Sequence, residues 1–374
     1  MNRLKQLEQF GQSVWLDYVR RDLLTGGGLK KLIADDGVKG VTSNPAIFEK
    51  AIAEGAEYRD ALHAATRSGE TDPERIYERV AIGDIAMAAD QLADVHEAAG
   101  GHDGFVSLEV SPRLAHDTDA TVAEAQRLWR AVNRRNLMIK VPATPAGLPA
   151  VERLIAEGIN VNVTLLFAVD VYREVAQAYR RGLEQRARAG QAVDRVASVA
   201  SFFVSRIDTA VDGTLERRVA EAKNIDERCT FEALRGKAAI ANARLAYAAY
   251  LELKAGEPWR ALQARGARTQ RVLWASTGTK NRAYPDTLYV DELIGPDTVN
   301  TMPPATLEAF RHHGTPQERL MGGPQEASDV MARLAAAGID MNAVTGQLLD
   351  DGVRLFDEAY SRLLAAIQRA RRAA

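Results

Sequence analysis

Short apolar runs rich in valine and isoleucine alternate with longer helical patterns along this chain, and this alternation constrains the fold more than any other feature. Apolar strands separated by amphipathic helices are typical of β-α units that build a parallel sheet. Several runs are continuously apolar, as expected for strands covered by helices. Eight strands are predicted, at residues 13–18, 38–42, 105–110, 137–141, 160–165, 196–203, 271–275 and 298–302.

Eight such strands in 374 residues predict an α/β fold, a (β/α)8 TIM barrel with additional helices. A doubly wound open sheet is the alternative. We expect a single domain over residues 1–374, with barrel strands at about 13–302 and a C-terminal helical extension at about 303–374 whose last helix packs over the barrel mouth. Helices are predicted at 49–67, 72–99, 119–133, 168–188, 212–255 (two helices, broken near 224–226), 306–312, 326–337 and 344–373.

Polar side chains fall at or just after the carboxyl ends of seven consecutive predicted strands. Each alone has an ordinary structural interpretation: a strand lysine is often an edge residue, and an asparagine before proline is often a turn former. Charged groups inside a barrel are costly, however, and barrel active sites lie at the carboxyl ends of the strands. The joint pattern therefore predicts an active site that contains Asp17, Asn44, Glu109, Lys140, Asn162, Thr164, Ser201, Arg206, Ser276 and Lys280.

Three segments carry a resemblance to a known family. Residues 40–48 read GVTSNPAIF, residues 137–148 read LMIKVPATPAGL, and residues 160–167 read NVNVTLLF. The first two resemble the two signatures of the transaldolase family, the second being built around its Schiff-base lysine, and the third resembles that family's fifth strand. The resemblance covers roughly residues 12–302, and the tail carries little signature.

The resemblance implies a barrel that is a circular permutation of other Schiff-base aldolases. It also implies transfer of dihydroxyacetone from sedoheptulose 7-phosphate to glyceraldehyde 3-phosphate, in the non-oxidative pentose phosphate pathway, with no metal or organic cofactor. Lys140 would form the Schiff base, Glu109 and Thr164 would hold a catalytic water, and Asp17 would take the proton of the C4 hydroxyl. The substrate-binding residues implied are Asn44, Asn162, Ser201, Phe203, Arg206, Ser276 and Lys280.

One departure from the family concerns the phosphate site. Many relatives have a second arginine shortly after the serine at position 276, whereas this chain reads ASTGTKN over residues 275–281. Lys280 is the nearest cation, in a longer loop. It would serve a phosphate as a point charge without the bidentate fork of arginine.

The chemistry explains why these residue types are needed. Cleaving a carbon–carbon bond beside a ketone leaves a carbanion, and a protonated imine formed by a lysine is the electron sink that accepts it. The amine must be uncharged to attack the ketone. Desolvation and phosphate-binding cations would favour the neutral amine of Lys140, whereas Glu109 would favour the ammonium form.

Composition excludes several other classes of function. A net charge of −2 gives no strong attraction to nucleic acid or to anionic membranes. The one cysteine, Cys229, rules out an internal disulfide. No apolar run of membrane length or signal-peptide pattern is present, so we expect a cytoplasmic protein. The resemblance implies phosphorylated sugars as its partners, and we expect a monomer or homodimer. The six histidines show no zinc-site spacing, and the glycines at 26–28 match no phosphate-loop motif.

Two alternative functions stay open. A lyase of the fructose-6-phosphate-aldolase type would release free dihydroxyacetone, but such relatives are much shorter and carry an amide where this chain has Glu109. A catalytically inactive barrel could act as a binding protein. The set Asp17, Asn44, Glu109 and Lys140 argues against it.

Overall fold

A computed structural model describes residues 2–67 and 69–372 and shows eight parallel strands that close into a barrel in chain order. The first and last strands pair in parallel, which completes the ring and overturns the open-sheet alternative. All eight predicted strands are confirmed to within two residues at each end. They are β1 Gln12–Leu16, β2 Val38–Thr42, β3 Phe105–Glu109, β4 Leu137–Pro142, β5 Val161–Leu166, β6 Ser198–Phe203, β7 Arg271–Ala275 and β8 Thr298–Met302.

Helices surround this barrel and extend past its last strand. They are α1 Arg3–Gln6, α2 Arg21–Thr25, α3 Gly28–Lys31, α4 Pro45–Glu54, α5 Arg59–Arg67, α6 Pro73–Gln91, α7 Ala93–Ala98, α8 Thr118–Val132, α9 Gly147–Glu157, α10 Val169–Arg188, α11 Ser205–Glu221, α12 Ile225–Glu232, α13 Ala238–Ala255, α14 Glu257–Gln263, α15 Leu288–Asp291, α16 Pro304–His313, α17 Pro324–Ala336 and α18 Met341–Arg372. Shorter 3-10 turns lie at Leu7–Phe10, Ala56–Tyr58 and Pro112–Leu114, and a π-type turn lies at Leu32–Asp36.

The helix predictions were less accurate than the strand predictions. The region 212–255 holds parts of three helices instead of two. The predicted break is confirmed at Asn224, which caps α12. A second break, before α13, was not predicted and includes Gly236, whose φ is +67°. The predicted helices 49–67 and 72–99 are each divided in two, and α9 was not predicted. The predicted end of the last helix at Ala373 lies outside the described residues.

The core fills both the barrel interior and the space between barrel and helices. β4, β5, β6 and β8 are buried along their whole length, as expected for strands covered by helices. Inside, Trp15 packs 6.3 Å from Phe105, measured between ring centroids. A Cβ on Gly40, its neighbour in register on β2, would lie 2.4 Å from the Trp15 ring, so glycine is needed there.

The last helix crosses the carboxyl ends of the strands, as expected from the sequence. Gly352 of α18 lies so close to β5 that a Cβ there would be 2.9 Å from the Leu165 side chain. Packing against α4 and a hydrogen bond from Tyr360 to Glu74 of α6 hold the helix across this end of the barrel. In the described ranges, no helix combines the length and the apolar character needed to cross a membrane.

Candidate active site

A cavity of about 200 Å³ opens at the carboxyl ends of the strands, beneath α18. Two of the predicted site residues, Glu109 and Asn162, are absent from its wall, and each hydrogen-bonds a residue that does line it. The other nine predicted residues line the cavity: Asp17, Asn44, Lys140, Thr164, Ser201, Phe203, Arg206, Ser276 and Lys280.

Lys140 occupies the end of β4, and the barrel register places it beside Glu109 on β3. Its Nζ donates to the carbonyl oxygen of Ser43 at 2.9 Å and to Oε2 of Glu109 at 3.2 Å. The two side chains are only 5% and 6% exposed, so water screens this pair weakly. The amine is therefore almost fully buried, and its hydrogen bonds to the described residues go to one carbonyl and one carboxyl group.

The two carboxyl groups near this amine are both harder to ionise than usual. Burial raises the pKa of Glu109 above its ordinary value, and the carboxylate of Asp17 adds to this, while Lys140 opposes it. Burial also raises the pKa of Asp17, against the charges of Lys140 and Lys280 and a hydrogen bond from Thr42. Raised carboxyl pKa values in a cavity are a property of general acid–base sites.

Asp17 follows β1 directly, and its backbone N–H still bonds to Met302 on β8 at 2.8 Å. Its carboxylate accepts a hydrogen bond of 2.7 Å from the Thr42 hydroxyl. The Thr42 and Thr301 hydroxyls are themselves 2.7 Å apart. Three neighbouring strands thereby fix the carboxylate on the cavity wall.

Amide and hydroxyl groups form a separate row across β3, β5 and β6. Ser201 donates to Oδ1 of Asn162 at 2.6 Å, and Nδ2 of Asn162 donates to Ser107 at 3.0 Å. Asn44 is engaged differently, since its side-chain oxygen caps α4 by accepting from the N–H of Ile47 at 3.0 Å. This leaves the amide nitrogen of Asn44 as its donor toward a ligand in the cavity.

Thr164 sits at a distortion in β5. The next residue, Leu165, has a φ of +59°, and the pairing of β5 with β6 shifts register between Val163 and Leu166. Such bulges re-aim side chains and are common beside active sites. The buried Thr164 hydroxyl makes no hydrogen bond to the described protein residues, although leaving such a group unpaired costs about 1–3 kcal/mol.

The cations of the cavity come from the loops after β6 and β7. Arg206 lies in the first turn of α11, with its guanidinium carbon 5.4 Å from the centre of the Phe203 ring. Burial lowers the pKa of Arg206, and Asp351 of α18 counteracts this. Ser276 has a φ of +56°, and its hydroxyl lies 3.0 Å from that of Ser205. Lys280, in the loop after β7, is the second cation on the cavity wall.

Comparison with known proteins identifies the family. A profile described as Transaldolase/Fructose-6-phosphate aldolase matches residues 14–367. A protein of Thiobacillus denitrificans named Transaldolase is 51% identical over 98% of this chain and all of its own length. Proteins of a Nostoc species (Transaldolase 2) and of Saccharopolyspora erythraea (Transaldolase) are 46% and 48% identical over 98% of this chain and 97% of their own lengths.

The chain belongs to the transaldolase/fructose-6-phosphate aldolase family. It is an enzyme of the transaldolase type, a transferase. The family match reaches residue 367, so it includes the tail in which the sequence motifs showed little signature. Nowhere in the part of the chain that the structure describes do three or more His, Cys, Asp or Glu side chains gather as metal ligands would.

Some residues of this transaldolase-type cavity escaped prediction. Thr42, Thr301 and Phe356 line it, and the carbonyl of Ser43 binds the Lys140 amine. A backbone carbonyl leaves no trace in the residue type. Phe356 lies in a helix whose apolar spacing indicates only that the helix packs on the barrel. In the folded chain, the centre of the Phe356 ring lies 6.0 Å from Nζ of Lys140, and this contact could not be read from the sequence.

Proposed function

We propose that this enzyme transfers a dihydroxyacetone unit from sedoheptulose 7-phosphate to D-glyceraldehyde 3-phosphate, giving D-erythrose 4-phosphate and D-fructose 6-phosphate, in the non-oxidative pentose phosphate pathway. The unit is carried on Lys140 as a Schiff base. The observation that carries the proposal is the position of the Lys140 amine, buried on the wall of a cavity and hydrogen-bonded to Glu109 at 3.2 Å.

The first step is attack of the amine on the donor's ketone. An uncharged amine is required, and Glu109, whose carboxylate lies 3.2 Å from the amine and whose pKa is raised by burial, is placed to hold the proton that the amine gives up. The attack forms a carbinolamine, which loses its hydroxyl as water and becomes a protonated imine. Glu109 supplies the proton for that water, and the unpaired hydroxyl of Thr164 can bind and orient a water between them.

The second step breaks the carbon–carbon bond. Asp17 takes the proton of the C4 hydroxyl, the aldehyde leaves, and the bonding electrons move into the imine to give an enamine on Lys140. The raised pKa of Asp17 suits it to this work, since a base is most useful when its pKa approaches the working pH. The acceptor aldehyde then enters, the enamine attacks it, and Asp17 returns the proton to the new hydroxyl.

The remaining groups hold the substrate and keep water away. Asn44, Asn162 and Ser201 bind hydroxyl groups of the three-carbon unit, and Phe203 packs beside them. Arg206, Ser276 and Lys280 bind the phosphate, with Lys280 in the place of an arginine found in many relatives. Phe356 covers the amine with an apolar ring, which protects the enamine from protonation by water. We also infer that the whole chain forms one domain, because α17 packs on α13 and α18 on α4.

The proposal is tested by reduction with borohydride in the presence of fructose 6-phosphate, followed by peptide mass mapping. We expect a reduced dihydroxyacetone adduct on Lys140, absent from Lys140→Met. Lys254→Met is the matched control, since that lysine pairs with Asp297 near the amino ends of the strands. An adduct on a different lysine, or no adduct in the wild-type enzyme, would falsify the mechanism.

A lyase of the fructose-6-phosphate-aldolase type uses the same intermediate but releases it. Incubation with fructose 6-phosphate alone separates the two functions. A transferase stops after about one turnover without an acceptor aldehyde, whereas repeated release of free dihydroxyacetone would establish the lyase. An inactive binding protein would form no adduct at all.

A further inference from the structure

Two buried aspartates on α11 have no role in the chemistry described so far. Asp208 and Asp212 are one helical turn apart on the same face, and their residues are only 2% and 5% exposed. Each uses one oxygen to accept a backbone N–H: Ala239 in the first turn of α13 donates to Asp208 at 2.8 Å, and Gly236 just before α13 donates to Asp212 at 3.0 Å.

The second oxygen of each aspartate accepts from a tyrosine hydroxyl. Tyr284 donates to Asp212 at 2.7 Å, and Tyr289 donates to Asp208 at 2.9 Å. Both tyrosines belong to the segment after β7. Hydrogen bonds to buried carboxylates are shorter and stronger than neutral ones, so these two contacts tie that segment firmly to α11.

The tied elements are the two that carry the cations of the phosphate site. Arg206 lies two residues before Asp208 on α11. Lys280 lies four residues before Tyr284, in a loop closed by a hydrogen bond from Thr279 to the carbonyl of Pro285 at 2.9 Å and by one from the N–H of Tyr284 to Asn281 at 3.1 Å. The loop is thus tied to α11 on both sides of Lys280, by the Ser276–Ser205 contact before it and by the Tyr284–Asp212 contact after it.

The position of the Tyr284 ring is itself specified by the chain. Gly236 has a φ of +67°, and a Cβ there would lie 2.9 Å from Cζ of the ring. Any larger residue at 236 would push the ring away. A tyrosine, an aspartate and a glycine from three different segments thus meet at one point behind the Lys280 loop.

We propose that Tyr284 and Asp212 are positioning residues that set the separation between Lys280 and Arg206, and so fit the two cations to the phosphate of the substrate. The inference rests on the proposed function, because it assumes a phosphorylated donor held by these cations. A lysine binds phosphate as a point charge on a flexible stem, so a loop held in place compensates for the missing fork of an arginine.

The test is Tyr284→Phe, which removes only the hydroxyl. We expect KM for fructose 6-phosphate to rise about fivefold, the loss of roughly one hydrogen bond's contribution, with kcat changed by less than about twofold. With unphosphorylated fructose as donor, kcat/KM stays unchanged. Tyr250→Phe is the matched control, because its hydroxyl also contacts a carboxylate, that of Asp297 at 3.3 Å, on the far side of the barrel.

A double-mutant comparison distinguishes a specific effect on the position of Lys280 from a general loss of rigidity in the loop. In a Lys280→Met background, Tyr284→Phe should cause no further rise in KM, because the cation that it positions is gone. Asp212→Asn, which can still hydrogen-bond the tyrosine, should keep KM within about twofold, and Asp212→Ala should not.

Three outcomes would overturn the inference: an equal loss with phosphorylated and unphosphorylated donors, a full effect in the Lys280→Met background, or a Tyr284→Phe enzyme that behaves like Tyr250→Phe. Failure of the proposed function looks different, since the wild-type enzyme would then give no borohydride adduct on Lys140.

Discussion

Strand β1 brings partly buried polar groups to both ends of the barrel, with Ser13 near the amino end and Asp17 just past the carboxyl end. At the amino end, Ser13 donates to Asp103, which also accepts from the indole N–H of Trp15 at 2.7 Å and from the N–H of Gly104 at 3.3 Å. Arg271 lies 3.5 Å from the same carboxylate. The charge of Asp103 is therefore surrounded by donors and a cation.

At the carboxyl end, the carboxylate of Asp17 has fewer partners than that of Asp103. Among the described residues, Asp17 accepts a side-chain hydrogen bond from Thr42 alone, and burial raises its pKa. The Thr164 hydroxyl nearby bonds to no described residue. Buried polar groups that the protein does not satisfy cost stability and are retained where a ligand will use them. The two carboxylates therefore differ, since Asp103 is enclosed by partners whereas Asp17 keeps hydrogen-bonding capacity for a ligand.

The largest effect should come from Asp17→Asn. Losing the general base should lower kcat by about 10²–10⁴-fold. Borohydride should still trap an adduct on Lys140 with fructose 6-phosphate, because imine formation depends on Lys140 and Glu109, but the adduct should carry the uncleaved six-carbon sugar instead of dihydroxyacetone. Stopped-flow rates and adduct yields measure the two parts. A variant that lost the adduct as well would show that Asp17 acts before bond cleavage.

The opposite pattern is expected for Asp103→Asn at the amino end. Arg271 loses its charged partner, so the free energy of unfolding should fall by about 3 kcal/mol. The kcat of the folded enzyme should be unchanged, as measured at a temperature well below the unfolding midpoint. Urea titration gives the stability. Loss of activity without loss of stability would contradict the division between the two ends.

A smaller effect is expected from Lys280→Met, which removes one cation from the phosphate site. KM for fructose 6-phosphate should rise about tenfold, the contribution of one charge-assisted hydrogen bond, with little change in kcat. Lys254→Met, at the amino end, provides the matched comparison and should leave KM unchanged. Equal effects of the two variants would mean that general charge, rather than local contact, binds the phosphate.

The smallest effect concerns stability and pH. The pKa of Asp17 in the folded enzyme lies above the ordinary 3.8, so folding favours its neutral form. The resulting stabilisation is complete below pH 3.8 and is lost as the pH rises through the raised pKa. Asp17→Asn should therefore be more stable than the wild type near pH 7, and this advantage should disappear near pH 4. Urea unfolding at both pH values measures the difference.

Most of the strands could be predicted from the sequence because they contain buried runs of apolar residues, as in β4 and β7. Helix α9 could not, since Ala146 before it makes no side-chain cap and its second and third residues are Leu148 and Pro149. Its face packs against α10, so tertiary contact rather than a local start signal defines it. The break before α13 depends on the positive φ of Gly236, which sequence alone does not distinguish from an ordinary helix glycine.

For the candidate site, the residue types revealed most of the cavity because charged and amide groups are conspicuous at the ends of apolar strands. The exact neighbours of the amine were less accessible. The Ser43 carbonyl is backbone, and the pairing of Lys140 with Glu109 follows from a barrel register that only the fold provides. The anchor between Tyr284 and Asp212 joins segments that no sequence pattern relates.

The position of Phe356 has a consequence for how such a cavity comes into being. Every other residue that lines the cavity lies at or before Pro303, so Phe356 is the last of them to be synthesised. A growing chain whose barrel has already closed would hold Lys140 in a cleft open to bulk water until α18 emerges and docks. Docking of α18, the last helix to be synthesised, therefore covers the active-site cavity.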